Sequence, residues 1–211
     1  MFRMTFPVGM LQCNCTILGD PASGEAVVID PGDEVDRILA ALADNKLRAV
    51  AIVHTHAHID HVGATAALGR ASGASTFLHP EDQPVLDSLH LQAMMIGLPQ
   101  VEGTAMDAPL ADLQAITFGP HELGVIHTPG HTPGSVCFGL TGHDVCFSGD
   151  TLFFGGIGRT DFPGGDPRAI ERSIRDRLYT LNGAVEVIPG HGPATTIDRE
   201  RLTNPFVRAR N

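Results

Sequence analysis

The chain predicts a layered α/β domain, and three observations carry that prediction. Short apolar runs alternate with amphipathic stretches in both halves of the chain. These runs tend to end in Pro/Gly turns, as Ala26-Val27-Val28-Ile29-Asp30 does at Pro31-Gly32. A length of 211 residues with 43% hydrophobic residues suffices for a buried core and argues against disorder. One domain spanning residues 1–211 is expected, with no linker, low-complexity tract or strong internal repeat.

The elements follow in order. Residues 26–30 read as a buried strand. Residues 33–45 carry Val35, Ile38, Leu39 and Leu42 on one helical face, with Asp33 or Asp36 near the start. Ala49–Val53 is a second buried strand, 62–71 a short Ala-rich helix, and Ser75–His79 a third strand. Pro80-Glu81-Asp82 opens another helix. Residues 91–112, with Met94, Met95 and Met106, read as loop and short helix. Short β segments are expected near 113–118, 122–127, 135–140 and 144–148, then a Gly-rich loop over 149–166. Ile170, Ile174, Leu178 and Leu181 give a helix over 167–180. Ala184–Ile188 is a strand and 198–204 a last short helix.

Charge and composition exclude several functions. Fourteen basic against 24 acidic residues give a net charge of −10, which disfavours nucleic acid, since its binding neutralises phosphates with Lys and Arg. The sign is uneven: residues 168–211 hold 8 Arg against 5 acids, a candidate face for a small anion. No apolar run reaches the ~18 residues of a membrane span. Nor does Met1–Pro7 offer the apolar run of a secretory signal, so a cytoplasmic protein is expected. Cys13, Cys15, Cys137 and Cys146 form no disulfide framework and are expected reduced and buried. The expected partner is a small molecule, with no nucleic acid and no membrane; the oligomeric state is left open.

The chemistry concentrates in Val53-His54-Thr55-His56-Ala57-His58-Ile59-Asp60-His61. It starts where the second buried strand ends. In extended backbone, residues i and i+2 share a side, so His56 and His58 can address one cation. Asp60 and His61 lie where the chain turns into a helix and can diverge toward a second position. Imidazole and carboxylate suit Zn(II), Fe(II) or Mn(II) better than Ca(II) or Mg(II). Three further segments each deliver a ligand-type residue into a Gly/Pro loop: His131 within His127–Gly134, Asp150 after Ser148-Gly149, and His191 within Ile188–Pro193. Open α/β sheets bind ligands at such strand ends.

The ordered set Thr55-His56-x-His58-x-Asp60-His61, His131, Asp150 and His191 resembles the metallo-β-lactamase fold superfamily over nearly the whole chain. Ser148–Phe153, Gly158-Arg159-Thr160-Asp161 and Pro189–Pro193 are similar to its short, single-domain members related to glyoxalase II, the hydroxyacylglutathione hydrolase-like proteins. The resemblance implies an αβ/βα sandwich, two mixed sheets packed face to face with helices outside. It implies two divalent ions, Zn(II) first and Fe or Mn as alternatives. One takes His56, His58 and His131, the other Asp60, His61 and His191, and Asp150 bridges them. Asp60 and Asp150 are thereby also the catalytic residues. The implied reaction is hydrolysis of a small thioester by a hydroxide shared between the ions.

Departures narrow the reading. Glyoxalase II follows its last metal His with an acid and Tyr; here Gly192 and Pro193 stand, and the single tyrosine, Tyr179, lies in an expected helix. Contacts of that kind to glutathione are not expected. True β-lactamases of the fold often carry Cys or Ser where Asp150 stands and are exported, which points away from antibiotic hydrolysis. The alternative is a persulfide dioxygenase, which shares the Gly158–Phe162 run and resembles a version using one iron on His56, His131 and Asp150. Arg159 and Asp161 suggest an ion pair fixing their loop, with Arg159 binding a substrate carboxylate as the functional reading. Phe153 is a candidate wall of the substrate cleft. His54 is expected in the core or supporting a ligand, and His79, His90, His121, His127 and His143 on the surface or in ordinary core.

Overall fold

The apolar runs assemble into two six-stranded sheets. The computed structural model describes residues 1–98, 102, 103 and 105–208. The first sheet runs β1 (Phe2–Val8), β2 (Cys13–Asp20), β3 (Glu25–Ile29), β4 (Arg48–Val53), β5 (Ser75–Leu78) and β6 (Ala108–Pro109), in that order. Its first three strands are antiparallel and β3 to β6 are parallel. The parallel strands need crossovers. These are α1 (Val35–Asp44), then α2 (Ile59–Val62) with α3 (Thr65–Ser72), then α4 (Gln83–Asp87) with α5 (Leu89–Ile96).

The second sheet begins with the antiparallel strands β7 (Ala115–Phe118), β8 (His121–His127), β9 (Val136–Leu140) and β10 (Val145–Gly149). A small hairpin, β11 (Leu152–Phe153) and β12 (Gly156–Ile157), follows. Next comes α6 (Pro167–Ser173), capped by the Asp166 carboxylate and continued by a wider turn over Ile174–Leu178. Then β13 (Glu186–Pro189) pairs parallel to β10, β14 (Thr195–Thr196) takes the edge, and α7 (Ile197–Thr203) follows it.

Period-two alternation makes this a four-layer sandwich. Val27, Ile29 and Val53 point into the core between the sheets, and Val28 and Ile52 point out under α1 and α3 beside Ile38, Leu42 and Leu68. On the other side Phe138, Phe147 and Ile188 face in. Cys137, Cys146 and Val187 face out against Ile170, Ile174 and Ile197. Phe138 is wholly buried between the sheets, so truncating it to Ala would cost about 3–5 kcal/mol. All four cysteines are free and buried.

Three segments differ from expectation. No element was expected before residue 26, yet β1 and β2 form a hairpin there. β1 is an edge strand that buries only Phe6 and Val8, and β2 is almost wholly buried, so neither shows clean alternation. Residues 62–71, expected as one helix, belong to two: Ala64 N–H donates to Pro31 O at 3.0 Å rather than up the helix. The 149–166 loop contains the β11–β12 hairpin. Of the 91–112 stretch, residues 99–101 and 104 lie outside the described residues. Among the described residues no helix is long and apolar enough to cross a membrane.

Candidate metal centre

The four ligand-bearing segments meet at one edge of the sandwich. Val136 N–H donates to Thr55 O at 2.8 Å, joining the segment after β4 to the start of β9. Gly190 N–H donates to Gly149 O at 2.8 Å, joining the segments after β10 and β13. Two donor groups result: His56, His58 and His131, and Asp60, His61 and His191. His58 Nδ1 is 3.0 Å from both His56 Nε2 and His131 Nε2. His191 Nε2 is 3.1 Å from Asp60 Oδ2 and 3.3 Å from His61 Nε2.

Asp150 lies between the groups. Its Oδ2 faces His131 Nε2 at 3.6 Å, and its Oδ1 faces His61 and His191 at 3.5 and 3.8 Å. Oδ1 is buried without a hydrogen-bond partner, an arrangement that costs about 1–3 kcal/mol unless something binds it. Donors about 2.1 Å from one tetrahedral ion stand roughly 3.4 Å apart. The spacings of both groups match, so this donor set fits two divalent ions.

Four of the five rings commit their other nitrogen elsewhere, which fixes which nitrogen faces the centre. His61 Nδ1 donates to Asp30 Oδ2 at 3.0 Å. Thr55 Oγ1 donates to the same oxygen at 2.6 Å and accepts from His56 Nδ1 at 3.1 Å. His131 Nδ1 donates to Arg159 O at 2.8 Å, and His191 Nδ1 to Leu11 O at 3.0 Å. The last ligand therefore leans on the unexpected β1–β2 hairpin. Asn14 in β2 adds to this, with its amide donating to Pro189 O at 2.9 Å and Gly192 O at 3.0 Å.

Electrostatics separates the two groups. Burial, then the neighbouring rings, pushes His56 far down and His58 down to about 3, which keeps both neutral as ligation requires. Burial also opposes charge on His61, but the carboxylates of Asp60, Asp150 and Asp30 outweigh it and raise its pKa. Burial alone would lift Asp60; His61 and His191 overcome it and hold the carboxyl well below its usual range.

His54 stays out of the centre. It is buried, donating from Nδ1 to Phe77 O at 2.8 Å, with Nε2 2.7 Å from Thr65 Oγ1. Arg159 lies at the mouth, paired through Nε and Nη2 with Asp161 at 2.7 and 2.6 Å and stacked on Phe162 at 3.8 Å. Phe153 sits half-buried in β11; the ring that reaches the centre is Phe162, edge-on to His58 at 5.6 Å. Tyr179 is buried, its hydroxyl donating to Val207 O at 2.8 Å with Glu200 O at 3.1 Å beside it. In the basic C-terminal stretch, Arg175, Arg199 and Arg201 pair with acids of the same stretch and Arg177 pairs with Asp112 outside it, so of these four only Arg177 draws on the basic surplus.

Sequence reasoning missed the supports Asp30, Asp82 and Asn14. Asp82, in the single turn Pro80–Asp82, is wholly buried and accepts from Ala57 N–H, Thr132 Oγ1 and Gly134 N–H. His79 and His127, expected as ordinary residues, stack at 4.1 Å within reach of Glu81.

Comparison with known proteins agrees with this geometry. Residues 8–191 match the metallo-beta-lactamase superfamily. Hydroxyacylglutathione hydrolase GloC of Haemophilus influenzae is 36% identical over 207 residues, 97% of each chain. Persulfide dioxygenase ETHE1 of Homo sapiens is 34% identical over 201 residues, 92% of this chain and 72% of that one. Among solved structures, BLEG-1 B3 metallo-beta-lactamase superposes with a TM-score of 0.90 at 36% identity, covering 98% of this chain and 99% of that one. TTHA1623 in a di-iron-bound form superposes with a TM-score of 0.87 at 40% identity, covering 98% and 100%. With a donor set for divalent metals on one sheet edge and a match running from β1 through His191, the chain belongs to the metallo-beta-lactamase superfamily.

Proposed function

We propose that this protein is a dinuclear metal-dependent hydrolase of the glyoxalase II-like type, cleaving a small thioester. The observation that carries the reading is the Asp150 carboxylate, whose oxygens face one donor group each. A single-metal site on His56, His131 and Asp150 would use only part of this donor set, and metal content, not the set itself, separates the two. The chemistry two such ions supply when bound is acidification of a water and polarisation of a carbonyl. Asp60, ionised and partly open to solvent, accepts a hydrogen bond from the attacking water and orients it. A thiolate leaves without a general acid. Arg159 keeps its Nη1 donors free of Asp161 and offers them to an anionic group on the substrate. Phe162 forms the apolar wall beside His58. Zn(II) is the expected metal, with iron or manganese as substitutes, and the expected setting is the cytoplasm.

The test is metal analysis of untreated protein with a panel of thioesters, lactones and a β-lactam. Oxygen uptake with glutathione persulfide is measured in parallel. Two equivalents of metal and chelator-sensitive thioester cleavage are expected. One iron with oxygen consumption would replace this reading with the dioxygenase one, which the identity to persulfide dioxygenase ETHE1 favours. Preferential β-lactam cleavage, or full activity without metal, would refute it.

A further inference from the structure

The two donor groups are held by different parts of the chain. Asp82 Oδ2 accepts from Ala57 N–H at 2.9 Å and from Thr132 Oγ1 at 2.8 Å, and Oδ1 accepts from Gly134 N–H at 2.6 Å. Ala57 lies between His56 and His58, and Thr132 follows His131. One carboxylate thus fixes the separation of the two segments that carry all three histidines of the first group. The contact is tight: a Cβ on Gly134 would fall 2.8 Å from both Asp82 Cβ and Oδ1.

The surroundings hold this carboxylate in turn. Asp82 N–H donates to His79 O at 3.0 Å, and His79 stacks on His127 at 15°. His127 Nε2 donates to Pro133 O at 3.0 Å. The stacked rings hold their lone pairs in separate, near-parallel planes, so His79, His127 and Glu81 brace the turn and the loop. Among the described residues no such link runs from Asp82 to Asp60, His61 or His191; His61 is held by Asp30 and His191 by Leu11 O, with Asn14 on the adjoining Pro189.

We propose that Asp82 is the positioning residue for the His56–His58–His131 metal position, acting by clamping the Ala57 and Thr132–Gly134 backbones together. Only a carboxylate accepts all three donors. In Asp82→Asn the NH2 group must face one of them, and the clamp opens on that side. The inference rests on reading those histidines as one metal position, and its test separates the two ideas.

Metal stoichiometry and cobalt(II) absorption are measured for wild type, Asp82→Asn and Asn14→Ala. Long-range 1H–15N spectra of the histidine rings are recorded on chelator-treated samples. Asp82→Asn should lose one of two equivalents, with its dissociation constant raised about 10–100-fold. Its His58 and His131 ring signals should shift while those of His61 and His191 stay. Asn14→Ala should show the converse, disturbing His191. Parallel loss of both equivalents, or unmoved His58 and His131 signals, would overturn the role of Asp82. Absence of metal from wild type would overturn the metal reading alone, because the ring spectra still test the clamp.

Discussion

Replacing Gly190 by Ala tests whether the centre is as tightly built as its distances say. A Cβ at residue 190 would fall inside contact distance of Asp150 Oδ1 and 2.7 Å from His61 Cε1. Carbon atoms settle about 3.5–4.0 Å apart, so the His61 ring must withdraw by roughly 1 Å, or the Gly190 backbone must. Neither is free to move. His61 is wholly buried and tied to Asp30, and Gly190 is bonded to Gly149 on one side and Asn14 on the other. Overpacking of this kind costs about 1–3 kcal/mol, within the 5–15 kcal/mol of a typical domain, so the chain should still fold. Metal distances tolerate only about 0.2 Å, and the displaced groups serve both positions through Asp150. Gly190→Ala should therefore fold with a modest fall in Tm yet lose at least 100-fold in metal affinity and nearly all activity. The assays are circular dichroism melting and metal content after dialysis against a weak chelator. A variant retaining two equivalents of metal would show that the centre accommodates a methyl group and that the argument from packing is wrong.

Further outcomes follow from neighbouring features. Arg159→Ala should raise KM for an anionic thioester with kcat little changed, since the guanidinium stands at the mouth rather than among the donors; an unchanged KM would remove Arg159 from substrate binding. Burial lowers the His54 pKa in the folded protein, whereas the unfolded chain takes up that proton near pH 6.5. Its contribution is therefore full above about pH 6.5 and falls as pH drops toward the folded value. The difference in stability between wild type and His54→Asn, followed by urea unfolding from pH 7.5 to 5.5, should narrow or reverse; a constant difference would contradict the assignment. Glu200, wholly buried, accepts from Gly155 N–H, Thr195 Oγ1 and Asn204 Nδ2 and pairs with Arg199. Glu200→Gln should cost about 3 kcal/mol and loosen the β11–β12 hairpin; a loss under about 1 kcal/mol in urea unfolding would show that the network does not need the charge.

The ligands were legible because packing does not call for them. Three histidines and an aspartate within six residues, with Asp150 and His191 at strand ends, have no use in an apolar layer. The inner strands were legible for the opposite reason: Ala26–Ile29 and Ala49–Val53 are continuous apolar runs, as strands covered by a sheet on one face and helices on the other demand. β1 and β2 escaped because one hides a single apolar edge around Pro7 and the other interrupts its apolar residues with Asn14, Thr16, Gly19 and Asp20. The supports escaped on different grounds. Asp30 looked like the end of a strand, and only its left-handed φ of 51° before Pro31-Gly32 marks a carboxylate turned back toward Thr55 and His61. Asp82 looked like the start of a helix, a place where any acid is favourable. An acceptor for backbone N–H groups has no local signature, because its partners lie 25 and 50 residues away.

That difference between ligand and support gives the centre its construction. The first trio hangs between loops of the two sheets, joined by Asp82, so its geometry is set by how the sandwich closes. The second trio is held in two ways: His61 by the buried Asp30 behind it, and His191 by Leu11 and Asn14 of the N-terminal edge hairpin. β2 also reaches the last ligand directly, through a bridge pairing Cys13 with His191 and the Asn14 N–H bond to Gly190 O at 2.7 Å. Such edge contacts open at lower free energy than those between buried layers. The His191 position should thus exchange its metal faster than the three-histidine position, and Asp150, shared by both, is the group through which that loss would be felt.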